Sequence, residues 1–176
     1  VTDGWEGILD PEERILWQGR PDGGIVISVA NIASGAFGLF FAGFALFWMI
    51  MASQAGGVFW MFGLLHFSVG IGIAFGPIVG GAFIRRHTWY TLTDRRAFVA
   101  TDVPIKGKTL DSYPITRDTR ISFEEGGLSN IHFAEGMRYR GGKKRLSPIG
   151  FERIPDGREV YRLIRDIQKA QHEQVQ

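Results

Sequence analysis

Hydrophobic and polar positions divide this chain into stretches of different period. From Gly23 to Ile84 there is no Asp, Glu, Lys or Arg, and every charged residue lies outside that interval. A soluble helix needs a polar face and a soluble strand pair needs polar turns, so lipid is the natural solvent for an uncharged run this long. A helix needs about 20 apolar residues to cross the hydrocarbon. The interval holds two such lengths, separated by the turn-forming Ser53-Gln54-Ala55-Gly56-Gly57. The pattern predicts helices over residues 25–52 and 58–84, joined as a transmembrane hairpin over 25–84, with Trp48 and Trp60 as interfacial aromatics beside the turn.

After Arg85 the period changes to two. Alternating runs at 88–93, 97–101, 109–115, 120–124, 130–135, 137–139 and 144–149 read as about seven short strands. They are interrupted at Asp94-Arg95, Pro104 to Gly107, Gly126-Gly127 and Gly141-Gly142, residues suited to hairpin turns. Such a meander closes into a sandwich or barrel. The period changes once more at the end: Val160, Leu163, Ile164 and Ile167 share one helical face, Pro155 stands at the start, and Arg162 with Asp166 forms an i, i+4 pair on the other face. The predicted fold class is an α+β membrane protein: a cytoplasmic N-terminal segment (1–24), the hairpin (25–84), and a cytoplasmic β domain with a C-terminal amphipathic helix (85–176).

The N-terminal segment carries Asp10-Pro11-Glu12-Glu13, in which Asp10 suits a helix cap, Pro11 the first helical position and Glu13 the closing member of a capping box. A short helical turn is expected there, lying against the β domain or along the headgroups. Its acidic character is opposite to the basic start of a secretory signal, so the first hydrophobic helix is expected to be retained.

Within the hairpin, Ala30, Ser34, Gly38 and Ala42 recur every four residues, as do Ser68, Gly72, Gly76 and Gly80. Stripes of small residues let helix backbones approach closely, and these two are expected to meet inside the hairpin, or one of them to dock onto another membrane protein. Pro77 should kink the second helix. Asn31 and His66 are the strongly polar side chains in this run. Asn31 reads as a helix–helix hydrogen bond. His66 reads as a hydrogen-bonded or interface-seeking histidine, because no second ligand stands at helical spacing to complete a haem or metal site.

Charge orients the hairpin. Arg85, Arg86, Arg95 and Arg96 follow the second helix, Arg20 precedes the first, and the intervening turn is uncharged. The positive-inside rule then places both termini in the cytoplasm. From Arg85 onward 18 basic residues face 12 acids, a net of +6, while the segment before the hairpin carries −4. The densest basic group is Arg138, Arg140, Lys143, Lys144 and Arg145 around a Gly-Gly turn. It reads as a solvated hairpin tip whose charge satisfies the positive-inside rule, or as a candidate contact for anionic lipid at the cytoplasmic face or for an acidic protein surface.

Few routes to catalysis remain. There is no cysteine, which excludes disulfides, thiol catalysis and thiolate metal sites. His87, His132 and His172 have no metal-ligand spacing, Ser129, Ser147 and Asp118 form no triad signature, and no Gly-rich phosphate cradle is present. No catalytic residue, cofactor or metal is expected. Nor is nucleic acid, since the domain lacks a recognition helix or an aromatic stacking platform.

The runs Trp89-Tyr90-Thr91-Leu92-Thr93-Asp94-Arg95-Arg96, Gly127-Leu128-Ser129-Asn130-Ile131 and Gly150-Phe151-Glu152-Arg153-Ile154-Pro155-Asp156 resemble the bacterial pleckstrin-homology-like domains of small membrane proteins. The segment from Leu9 to Pro21, Leu-Asp-Pro-Glu-Glu-Arg-Ile-Leu-Trp-Gln-Gly-Arg-Pro, looks like the one that precedes the anchor in the same family. The resemblance implies a PH-like β-sandwich capped by one helix. Inositol-phosphate recognition is not carried over, because the Thr93-Asp94-Arg95-Arg96 turn is too tight to be the long basic loop such recognition uses. The expected function is a non-enzymatic, membrane-anchored interaction or scaffold module. Its partner is a membrane protein or a second copy of the chain. The alternatives are an accessory subunit of a large respiratory or photosynthetic complex and a tethered sensor of anionic lipid.

Overall fold

The computed structural model describes residues 4–104, 107–140 and 143–173, except for the side chains of 138–145 and 172–173. It divides into two compact units, one formed by Val1–Asp22 with Arg85–Gln176 and the other by Gly23–Ile84.

The second unit is the hairpin. Helix α1 runs Val29–Gln54, a 3-10 turn covers Phe59–Met61, and helix α2 runs Phe62–Arg86. Both helices are long and apolar enough to cross a membrane. The first begins four residues later than expected because Ser28 caps it, accepting the Asn31 N–H at 3.2 Å. Gly56 and Gly57, with φ of 80° and 76°, reverse the chain. Pro77 lies within α2, which continues beyond it to Arg86.

The helices pack through small residues, and of the two expected stripes Gly38 and Ala42 take part. A Cβ on Gly38 would stand 2.5 Å from the Ala74 nitrogen and 2.6 Å from the Gly70 carbonyl; one on Gly70 would stand 2.7 Å from the Ala42 nitrogen. Ala45 and Met49 continue the buried row on α1, as do Gly63 and Ala82 on α2. On the second helix the expected stripe does not meet the first inside the hairpin, since a Cβ on Gly72, Gly76 or Gly80 would meet nothing within 4 Å and Ser68 is exposed. The reason is geometric. At about 100° per residue Gly72 stands about 200° around the helix from Gly70, so the row of Gly72, Gly76 and Gly80 lies on the side of α2 away from the contact.

Among the described residues the first unit holds seven strands in two open antiparallel sheets, not a closed barrel. The four-stranded sheet has the order β1 (Ile15–Gly19), β2 (Thr88–Thr93), β3 (Arg96–Val103) and β4 (Gly107–Pro114). The three-stranded sheet has the order β5 (Ser122–Glu124), β6 (Ser129–Arg140) and β7 (Lys143–Ile154). The expected total of seven is met by a different partition. Residues 130–135 and 137–139 belong to the single strand β6, while the extra strand, β1, comes from ahead of the hairpin. The Gly126-Gly127 turn needs no left-handed backbone, unlike Gly107 with a φ of 81°.

The core lies between the sheets under helix α3 (Gly157–Glu173). Phe151, fully buried, is its centre, with ring centroids 4.9 Å from Tyr90, 5.0 Å from Phe133 and 5.4 Å from Trp17. Val160, Ile164 and Ile167 close it from α3 as their helical spacing requires. Gln168 on α3 donates to the carbonyls of Thr116 at 3.0 Å and Thr119 at 2.9 Å, satisfying the β4–β5 connection.

Candidate functional site

The segment ahead of the hairpin is tied into the β domain at several points. Instead of a helix, Asp10-Pro11-Glu12-Glu13 forms a turn with Glu12 at a φ of 70°. The carboxylate of Glu13 still accepts the Asp10 N–H at 2.9 Å, as a capping box would, but its main partners are across the sheet. It accepts from Arg96 Nη2 at 2.6 Å and Nε at 3.2 Å, and from the Thr93 hydroxyl at 2.6 Å. Asp10 joins the same guanidinium at 3.0 Å. Burial by itself would raise the Glu13 pKa; the hydrogen bonds from Arg96, Thr93 and Asp10 outweigh it and bring the value down to about 2. Arg96 is raised in turn, mainly by its hydrogen bond to Glu13. Arg14 and Asp94 add a reciprocal pair, each backbone N–H donating to the other residue, at 3.1 and 3.0 Å.

At its far end the segment is held again. Arg153 Nη2 donates to Asp22 at 2.7 Å and the Asp22 N–H donates to the Arg153 carbonyl at 2.9 Å. The Arg153 N–H donates to the Asn130 side chain at 2.9 Å. Glu13, Arg96, Asn130 and Arg153 are drawn from the four runs that stand out in the sequence, so those runs are joints of one fold.

With β1 in place, the outward face of the four-stranded sheet forms a groove of about 660 Å³. Its floor is Trp89, Phe98, Ala100 and Leu110 from β2, β3 and β4, and Trp5 and Ile8 form one wall. Trp5 meets Phe98 edge-on at 5.3 Å, and the Arg20 guanidinium lies 4.7 Å over the Trp89 ring. Gln18, Thr91 and Asp102 supply polar groups around this apolar floor. Such a mixture suits an amphipathic ligand or a protein side chain better than it suits bond-making chemistry. Sequence inspection passes over these residues. The available signal is that β2 and β3 carry large apolar side chains in both phases, Trp89 and Phe98 against Tyr90, Leu92 and Val99, whereas a sheet with one solvated face alternates with polar residues.

The residues singled out in the sequence lie elsewhere. Asn31 makes no helix–helix bond among those described: its amide donates to the Val26 carbonyl at 3.0 Å and steadies the start of α1. This corrects the expectation; at the first turn the free carbonyls of the incoming chain are nearer than the other helix. Ser34 and Ser68 bond back to carbonyls of their own helices, at 3.1 and 2.8 Å. His66 Nδ1 lies 3.3 Å from the Phe62 carbonyl, and its ring borders a groove of about 290 Å³ with Phe41, Phe44, Trp48 and Phe62. Arg138 and Arg140 stand on β6, and Lys143, Lys144 and Arg145 on β7; the register pairs Arg138 with Arg145, Tyr139 with Lys144 and Arg140 with Lys143. Their side chains are outside the described residues. Among the described residues no cluster of His, Asp and Glu has the make-up of a metal site.

Compared with protein-family models, curated proteins and solved structures, the chain shows no significant match to any of them.

Proposed function

We propose that this chain is a non-enzymatic interaction module of a bacterial inner membrane, in which the hairpin is the anchor and a cytoplasmic PH-like domain binds a protein of the same membrane through the groove on its four-stranded sheet. The observation that carries this reading is the pairing of β1 with β2. One strand precedes the hairpin and the other follows it, and their register matches Gln18 with Thr91 and Gly19 with Tyr90. Both ends of the hairpin therefore belong to one folded unit, which an even number of membrane crossings permits and an odd number forbids. The basic residues on both flanks favour the cytoplasm for that unit. The two sheets and C-terminal helix agree with the PH-like resemblance. The groove is floored by aromatic and aliphatic side chains and rimmed by a cation, a composition enriched in protein interfaces.

The test is purification of the full chain from its own membrane in mild detergent, with Leu110→Glu and Ile8→Glu as variants. These side chains are 41% and 38% exposed, so a charge there leaves the core intact. A stoichiometric partner should be recovered with the parent chain and lost with both variants. A large enzyme complex as that partner would make the chain its accessory subunit. Recovery as a lone monomer, or a partner indifferent to both substitutions, rejects the groove as the binding face. A reporter fused after Gln176 tests orientation separately and should show the cytoplasmic phenotype.

A further inference from the structure

The three-stranded sheet is incomplete on one side. Strand β5 is three residues long and pairs with Asn130, Ile131 and His132, whereas β6 continues to pair with β7 well past that point. A bulge between His132 and Ala134 marks where β5 leaves off, and over residues 134–137 the register with β7 is regular. Among the described residues no strand covers the other side of this part of β6. A slot of about 890 Å³ stands there instead, bordered by Tyr113 and Pro114 at the end of β4 and by Phe133 and Ala134 on β6.

Pro148 shows which way the backbone of β6 is turned. It is the cross-strand partner of Glu135, and a proline has no N–H to give. In an antiparallel ladder, opposed residues either exchange both hydrogen bonds or turn their backbone groups away from each other, and a proline fits the second kind. Glu135 therefore turns its N–H and C=O away from β7, and Met137, two residues on, does the same, while Gly136 between them faces Ser147. Two donors and two acceptors at strand spacing thus line the open side of β6.

A strand added there meets two different surfaces. Its inward side chains face Tyr113 and Phe133, whose rings lie 5.7 Å apart, so apolar residues suit them. Its outward side chains meet Glu135, which is exposed. The charged groups around the slot are Glu124, Glu135 and Arg120, an acidic balance on a domain that is basic as a whole. A lysine or arginine opposite Glu135 complements it. Residues 133–137 contain no basic residue, so a second copy of the same edge does not supply one.

We propose that this slot receives an extended segment of a partner protein, added as a strand along residues 133–137, with alternate apolar side chains turned toward Tyr113 and Phe133 and a basic residue opposite Glu135. Main-chain hydrogen bonds then supply affinity, and the alternating side chains supply selectivity.

Hydrogen exchange on the full chain in detergent, read amide by amide, tests the geometry first and the ligand second. In the free protein the Gly136 amide should be protected by β7 while the Glu135 and Met137 amides exchange rapidly. Protection of those two in the free protein overturns the proposal. The probe is a synthetic peptide of alternating valine and lysine. At about ten times its Kd it should slow exchange at Glu135 and Met137 about tenfold. The same peptide with a methylated backbone, which cannot pair as a strand, should leave both amides unchanged, as should a peptide of alternating valine and glutamate. Glu135→Lys retains the edge and should reverse the preference in favour of the glutamate peptide. An effect from the methylated peptide, no effect from the valine–lysine peptide, or a preference indifferent to Glu135→Lys overturns the proposal.

Discussion

Glu13 shows how much of this fold depends on one long-range contact. Its side chain is fully buried, while that of Arg96 retains 23% exposure. Its pKa of about 2 lies below the ordinary 4.5, so the folded state holds the ionised form more tightly than the unfolded chain does. The resulting stabilisation, about 3 kcal/mol, is complete above about pH 4.5 and is lost as the pH falls towards 2. Glu13→Gln should remove it. Thermal melts of the full chain in detergent should show the variant destabilised near neutrality, with the difference from the parent shrinking below about pH 4. A difference that stays constant with pH would place the loss in packing and not in the charge. The residues of this contact are visible in the sequence as two conspicuous runs, Asp10 to Glu13 and Thr93 to Arg96. Their relation is not, because a capping box is judged from neighbours three residues apart and the partner of Glu13 is 83 residues away.

Among the elements, legibility follows the strength of the period. Helix α3 is evident from Val160, Ile164 and Ile167 because a single apolar stripe on a charged helix has one way to face a core. The two long helices are equally evident in extent, but uniformly apolar surfaces carry no such stripe, so small residues are the only guide to their contact face. On α1 Gly38 and Ala42 do lie in the contact, while Ala30 of the same row is exposed. On α2 the guide misleads, because four-residue spacing picks out Gly72, Gly76 and Gly80 while the contact follows Gly63, Gly70 and Ala74. Substitution separates the two rows. Gly38→Leu and Gly70→Leu force a side chain into a backbone contact and should each cost about 2–3 kcal/mol of hairpin stability. Gly72→Leu and Gly76→Leu should stay within about 0.5 kcal/mol, as expected where nothing is displaced. Melts of purified variants in one detergent decide between them, and the opposite ranking would reverse the assignment of the contact face.

For the whole molecule, the decisive feature is chain order: the hairpin stands in the sequence between β1 and β2, which pair with each other. The groove cannot be foreseen while residues 1–24 are read as a segment with a short helical turn and no strand, since Gln18, Arg20, Trp5 and Ile8 become part of it only when β1 joins the sheet. Five residues of strand separated from their partner by two membrane-length helices leave no local trace of that pairing. Hydrogen exchange on the full chain checks it directly: amides of Ile15–Gly19 should exchange together with those of Thr88–Thr93, as members of one cooperative unit. Exchange of β1 at the rate of an unstructured segment would remove it from the sheet.

The same insertion sets an order of events during synthesis. Strand β1 leaves the ribosome before either long helix and its partner β2 leaves after both, an interval on the order of several seconds at ordinary elongation rates. Throughout it, Trp17 has no Phe151 to pack against and Glu13 has no Arg96. Closure of the sheet thus requires that the second helix be complete and its far end returned beside the first. Until the two long helices have brought β2 back to it, β1 remains an unpaired edge, the kind of strand that invites pairing with other chains.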